Sequence, residues 1–219
     1  MALRFQNIAV ALLSAGAAAV GQTIVQPGAP GAASKILPAS SVKVAPPPIY
    51  QADTDFMQGM IHHHSQAVEM VDLLRKYGRS KDVKKLGERI RISQTDEIRF
   101  MQSWLRDRGK AVPMMHDMSK MDHASMAGMM DMASMPPMPG MPTPEQMKAL
   151  RKARGAQFDH LFLTGMIQHH TGALTMVDDL FSSPGAGQDT QLYEFATDVD
   201  NTQTAEINIM KGLLEKEKK

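Results

Sequence analysis

The sequence predicts an all-α fold: an antiparallel four-helix bundle of two related helix pairs with a long methionine-rich loop between them. Three observations carry this. At an offset of 106 the chain matches itself, setting Gly59-Met60-Ile61-His62-His63-His64 on Gly165-Met166-Ile167-Gln168-His169-His170. The match runs on through Ala67 and Ala173, Met70 and Met176, Val71 and Val177, Asp72 and Asp178, and back to Phe56 and Phe162, Asp53 and Asp159. A weaker match at an offset of 109 sets Gln94, Glu97, Ile98, Met101 and Leu105 on Gln203, Glu206, Ile207, Met210 and Leu214. Each half is therefore one helix with a histidine pair followed by one with Gln-x-x-Glu. Third, apolar residues recur at the helical period and no segment sustains strand alternation.

The 219 residues, 43% hydrophobic and 21% charged, suffice for a real core. Residues 1–21 combine Arg4, an apolar run from Ile8 to Ala15 and a small-residue stretch, the pattern of a secretory signal peptide. The run is short for a membrane span, although an uncleaved anchor is the alternative, and no membrane contact is expected beyond this segment. Removing Arg4 leaves 23 basic against 23 acidic residues, which argues against a nucleic-acid partner. There is no cysteine but there are 20 methionines. In the periplasmic or secreted setting that the signal segment implies, such a chain must hold itself by packing, without disulfides.

Residues 22–49, rich in Pro, Ala, Gly and Ser, read as a linker with no fold of its own. The helical domain spans 50–217. Asp53-Thr54-Asp55 starts the first helix and Tyr77-Gly78 stops it; the second runs from Ser80 to about Arg108, ending at Gly109. Thr143-Pro144-Glu145-Gln146 opens the third with a capping box and proline at the first helical position, and that helix is expected to continue to Phe181. Ser182-Ser183-Pro184-Gly185 breaks it, and the fourth runs from about Asp189 to the C-terminal lysines. Eight Lys or Arg between Arg75 and Arg91 read as a solvated face, with an anionic lipid surface as the alternative.

Projection at about 100° per residue places the chemistry. Phe56, Met60, His63, His64, Ala67, Met70, Val71 and Leu74 share one face of the first helix, and Asp159, Phe162, Met166, His169, His170, Ala173, Met176 and Val177 share one face of the third. His62 projects opposite, to solvent. Gln94, Glu97 and Met101 share the inward face of the second helix, as do Gln203, Glu206 and Met210 on the fourth. Burying four imidazoles costs desolvation unless each finds a partner, and a metal is such a partner, with Gln94, Glu97, Gln203 and Glu206 placed to orient the rings. A hydrogen-bonded core histidine is the plainer alternative for any one ring taken alone. Di-iron and di-manganese bundles carry a glutamate three residues before the histidine. Here that position holds Met60 or Met166. A thioether for a carboxylate shifts preference toward copper, above all Cu(I), with Cu(II) also open, and zinc from histidines and a glutamate remains an alternative.

The loop, 110–143, carries Met114, Met115, His116, Met118, Met121 and His123 and continues through Met126, Met129, Met130, Met132, Met135, Met138 and Met141. Positions 114–141 hold 11 methionines and two histidines in 28 residues, with no leucine, isoleucine, valine or aromatic. Methionine is not serving there as one of several interchangeable core residues. Thioethers need no deprotonation and form no disulfides, so they suit Cu(I) outside the cytoplasm. An adhesive surface and a sacrificial oxidation sink are the competing readings.

With Gly59-Met60-Ile61-x-His63-His64-x-x-Ala67-x-x-Met70, its second copy from Gly165 to Met176, and Gln94-x-x-Glu97-Ile98-x-x-Met101-x-x-Trp104-Leu105, the chain resembles the CopM-like family, domain of unknown function 305, over roughly 50–215. The resemblance implies a ferritin-like bundle, exported, with copper binding and copper tolerance in some members. It implies Met60, His63, His64, Met70 and Met101, with Met166, His169, His170, Met176 and Met210, as ligands. The halves differ where Gly212-Leu213 replaces Ser103-Trp104 and where Gln168 replaces His62. The expected function is sequestration or delivery of copper, with copper ions and another exported copper protein as partners and no organic cofactor. No nucleophile with its base and no phosphate loop appears, so an enzyme is not expected. The rival readings are a ferritin-like metallo-oxidase and a metal-free structural or stress module.

Overall fold

In the computed structural model, residues 23–26, 31–38, 47–113 and 138–217 are described. The signal segment, 1–21, and Met114, Met115, His116, Met118, Met121 and His123 lie outside them. Two units are present, residues 1–46 and 47–219. In the first, β1 (Thr23–Gln26) pairs antiparallel with β2 (Lys35–Pro38), Val25 opposite Ile36. This corrects the reading of 22–49 as a stretch without elements. Thr23, Ile24, Val25 and Ile36 are β-branched and favour extended backbone, a local preference that the Pro/Gly-rich average conceals.

The second unit is all helix: α1 (Gln51–Tyr77), α2 (Lys81–Asp107), α3 (Pro144–Lys152), α4 (Gly155–Ser182) and α5 (Thr190–Lys216). Caps set the boundaries. Ser80 Oγ accepts from Val83 N, Asp189 Oδ1 from Leu192 N, and Thr143 with Gln146 forms the expected reciprocal box. The third predicted helix is in fact two, α3 and α4. Ala153 and Arg154 are extended and Gly155 takes φ +62°, a left-handed conformation that glycine adopts without steric cost. Arg154 lies over the Tyr77 ring at 3.7 Å and donates to the carbonyls of Arg151 and Ala153, while Gly155 bridges to Gly78. The break is a tertiary contact that the helical period does not encode.

α1 packs on α2, α4 on α5, and α1 with α4 forms the central seam. The apolar residues form two cores. One gathers Phe56 to Ile61 of α1, Ile98 to Leu105 of α2, Ala173 to Leu180 of α4 and Leu192 to Val199 of α5. The other gathers Ala67 to Leu74, Val83 to Ile90, Phe158 to Met166, and Ile207 with Met210. α1 and α4 contribute in opposite order, so they run antiparallel. Between the two cores, at mid-height of each long helix, stand the buried His63, His64, His169, His170, Gln94 and Gln203. A polar layer divides the bundle interior.

Two buried aspartates tie the halves together. Asp159 of α4 accepts from Arg79 N and Ser80 N (2.7 Å) in the α1–α2 loop, and Asp53 of α1 accepts from Gly187 N (2.7 Å) in the α4–α5 loop. Each half's first helix therefore holds the other half's loop. Among the described residues no helix is long and apolar enough to cross a membrane.

Candidate metal centre

Adjacent histidines on an amphipathic helix straddle the inward stripe, which is why all four rings are wholly buried. His62 is half-buried and not fully solvated as the projection suggested, and burial lowers its pKa. The layer is built from reciprocal contacts. His64 Nε2 lies 2.6 Å from Glu97 Oε2 and His170 Nε2 lies 2.7 Å from Glu206 Oε2, an identical arrangement in both halves. His169 Nε2 meets His63 O at 2.8 Å, and His63 Nε2 meets Pro139 O at 3.0 Å. The His63 and His169 rings face one another at 3.8 Å between centroids, tilted by 38°.

These partners fix the tautomers. A carbonyl or carboxylate only accepts, so each ring donates its Nε2 proton, and in the neutral ring Nδ1 is left as a bare lone pair. All four Nδ1 atoms are buried without a protein hydrogen-bond partner, as are both amide atoms of Gln94 and of Gln203. Buried polar atoms are normally satisfied, and these gather in one layer where water or an ion would find partners. Desolvation first, then the neighbouring His64 and His170, lowers the His63 pKa to about 3; desolvation and the charges of His63 and His170 hold His169 well below its ordinary value. Both rings are neutral and competent to coordinate. Burial pushes Glu97 up, but the hydrogen bond and charge of His64 and the Ser93 hydroxyl at 2.6 Å outweigh it, so its pKa lies below the ordinary value.

Among the described residues no three His, Asp or Glu side chains are grouped to hold a metal ion. Imidazole completed by thioether is the composition the layer offers, and that suits soft cations. Thioethers flank the layer on both sides, shared between the halves: Met60 and Met101 of the first lie in one core with Met176 of the second against it, and Met166 and Met210 of the second lie in the other with Met70 of the first. Gln94 and Gln203 are buried in the layer, while Glu97 and Glu206 reach it from its rim.

Sequence reasoning missed what crosses the seam. Residues 138–142, the far end of the methionine-rich loop, lie across α1 and α4. Pro139 O accepts from His63, Pro142 O from Gln66 Nε2 (3.1 Å) and Met141 O from Gln168 Nε2 (3.4 Å). The strap turns at Pro139-Gly140, with Gly140 at φ +70°. It sits flat because a Cβ on Gly172 would come 2.0 Å from Pro139 O. The visible signals were Pro-Gly and Gly172, but their pairing is long-range.

A family model described as Domain of unknown function (DUF305) matches residues 53–214. The chain belongs to the DUF305 family. Among solved DUF305 structures it is similar to a fragment from Deinococcus radiodurans, with 25% identity, a TM-score of 0.60, and coverage of 78% of this chain and 99% of that one. It is similar as well to a candidate secreted protein of the family from Streptomyces coelicolor, with 28% identity, TM-score 0.60, and coverage of 75% and 93%. CopM in its Cu(II)-bound form is similar at 26% identity and TM-score 0.54, covering 75% of this chain and 96% of that one. No curated protein matches the chain.

Proposed function

We propose that this DUF305 protein is an exported copper-binding protein that sequesters or hands on copper, chiefly Cu(I), and so contributes to copper tolerance or homeostasis. The observation that carries the reading is the set of four buried Nδ1 atoms without a protein partner, each ring oriented from behind by a carboxylate or a carbonyl. His63, His64, His169 and His170 would supply imidazole, and Met60, Met70, Met101, Met166, Met176 and Met210 thioether. The Cu(II)-bound form of CopM supports copper as the cargo. The thioethers, which favour the monovalent ion, support Cu(I). The signal-peptide pattern of residues 1–21 supports export.

The test is an anaerobic Cu(I) titration against a chromogenic competing chelator. It uses the mature chain, the same chain with 114–137 replaced by a Gly/Ser linker of equal length, and that replacement combined with His63→Phe and His169→Phe. Several tight equivalents are expected in the first, fewer in the second, and loss of a further equivalent in the third. Failure of the mature chain to compete for Cu(I) overturns the reading.

A further inference from the structure

The repeat makes a comparison inside the molecule possible. Gly59 and Gly165, each just before a buried methionine of the His-His motif, occupy equivalent positions, and each forms a notch in its helix. Into the Gly165 notch comes Met70, whose methyl lies 3.2 Å from where a Cβ would stand, with the Pro142 ring at 3.9 Å beside it. Into the Gly59 notch comes Met176, its methyl at 3.4 Å, with the sulfur of Met138 at 3.7 Å. The strap thus roofs both notches, one from each end. Over Met70 it sets a prolyl ring, and over Met176 a second thioether.

Exposure follows the same division. Met70 is 1% exposed, whereas Met176 and Met138 are both half-buried, reachable by an ion and still sheltered. Since both side chains lie within 4 Å of one point, Met138 Sδ and Met176 Cε are no more than about 7 Å apart. Methionine's three soft torsions let the two side chains adjust toward a shared ion. The residue after Met138 is Pro139, whose carbonyl holds His63.

We propose that Met138 and Met176, meeting over Gly59, form a bis-thioether site for a soft monovalent d10 cation, Cu(I) or Ag(I), between the methionine-rich segment and the histidine layer. The site rests on the copper reading for its physiological ion but on its own pair of ligands. Among the described residues the pair has no counterpart at Gly165, where Pro142 takes the place of Met138. Binding uses sulfur lone pairs, so no bond breaks and no proton is released.

The experiment labels the full mature chain at the methionine methyl carbons and titrates it with Ag(I), which is diamagnetic, following methyl NMR signals assigned through Met138→Leu and Met176→Leu. A melting curve on each variant establishes that it folds. Joint movement of the Met138 and Met176 signals in the first equivalents is expected, with each leucine variant cutting the response of the other methionine at least tenfold at equal free Ag(I). Movement of other methionines while these two stay fixed overturns this site and leaves the copper reading intact. No movement of any methionine signal, with no Cu(I) competition, overturns both.

Discussion

At the scale of single residues, His63 and His169 set the chain's acid response. An imidazole held neutral in the fold and titrating normally when unfolded leaves stability intact above about pH 6.5 and removes it as pH falls. For His63 that loss extends toward its folded value of about 3. The metal-free protein is therefore expected to lose on the order of 1 kcal/mol per pH unit per histidine as pH falls below about 6.5, measured as urea midpoints from pH 7.5 to 4.5. A flat profile would show that these rings are not buried neutral. Asp189 concentrates a different set of contacts: it caps α5 through Leu192 N and accepts from Trp104 Nε1 (2.9 Å) and Arg108 (2.7 Å). Asp189→Ala should cost about 3 kcal/mol by urea unfolding, and Asp189→Asn, which keeps an oxygen for the cap and the indole, about 1 kcal/mol.

At the scale of elements, the strap is held by glycine geometry as much as by hydrogen bonds. Gly172→Ala would push Pro139 off the seam and strip His63 of its acceptor. The expected loss is about 1 to 3 kcal/mol, and ring-nitrogen NMR should show His63 leaving its Nε2–H tautomer while His64, anchored by Glu97, keeps it. An unchanged His63 spectrum would mean that the strap does not fix that ring. Much of this level could be read from the chain itself. The His-His pairs, Gln94, Glu97, Gln203 and Glu206 were legible because burial at helical period and internal repetition are local signals. The extended Arg154 and the seating of 138–142 were not, since each depends on a partner more than 25 residues away, Tyr77 for one and Gly172 for the other. Met176 shows the same limit: it projects onto the buried stripe yet stands half-open.

For the whole molecule, the helical period placed imidazoles and thioethers in one interior, while the fold sorts them into a polar layer between two apolar cores. If the layer takes the metal proposed for it, ligand binding and stability are coupled. At free Cu(I) or Ag(I) of 100 times Kd, one site adds about 2.7 kcal/mol, which for a domain of this size raises Tm by roughly 5 to 10 °C. Calorimetry of the metal-free and loaded forms checks this, and replacing His63 and His169 by Phe should remove most of the increment.

The crossed aspartates make the two halves depend on one another. A single helix pair would carry an aspartate with no loop to hold and a loop with no aspartate to hold it, and a second copy turned end for end would supply both. Asp53 on Gly187 and Asp159 on Arg79 and Ser80 make each half complete only in the presence of the other.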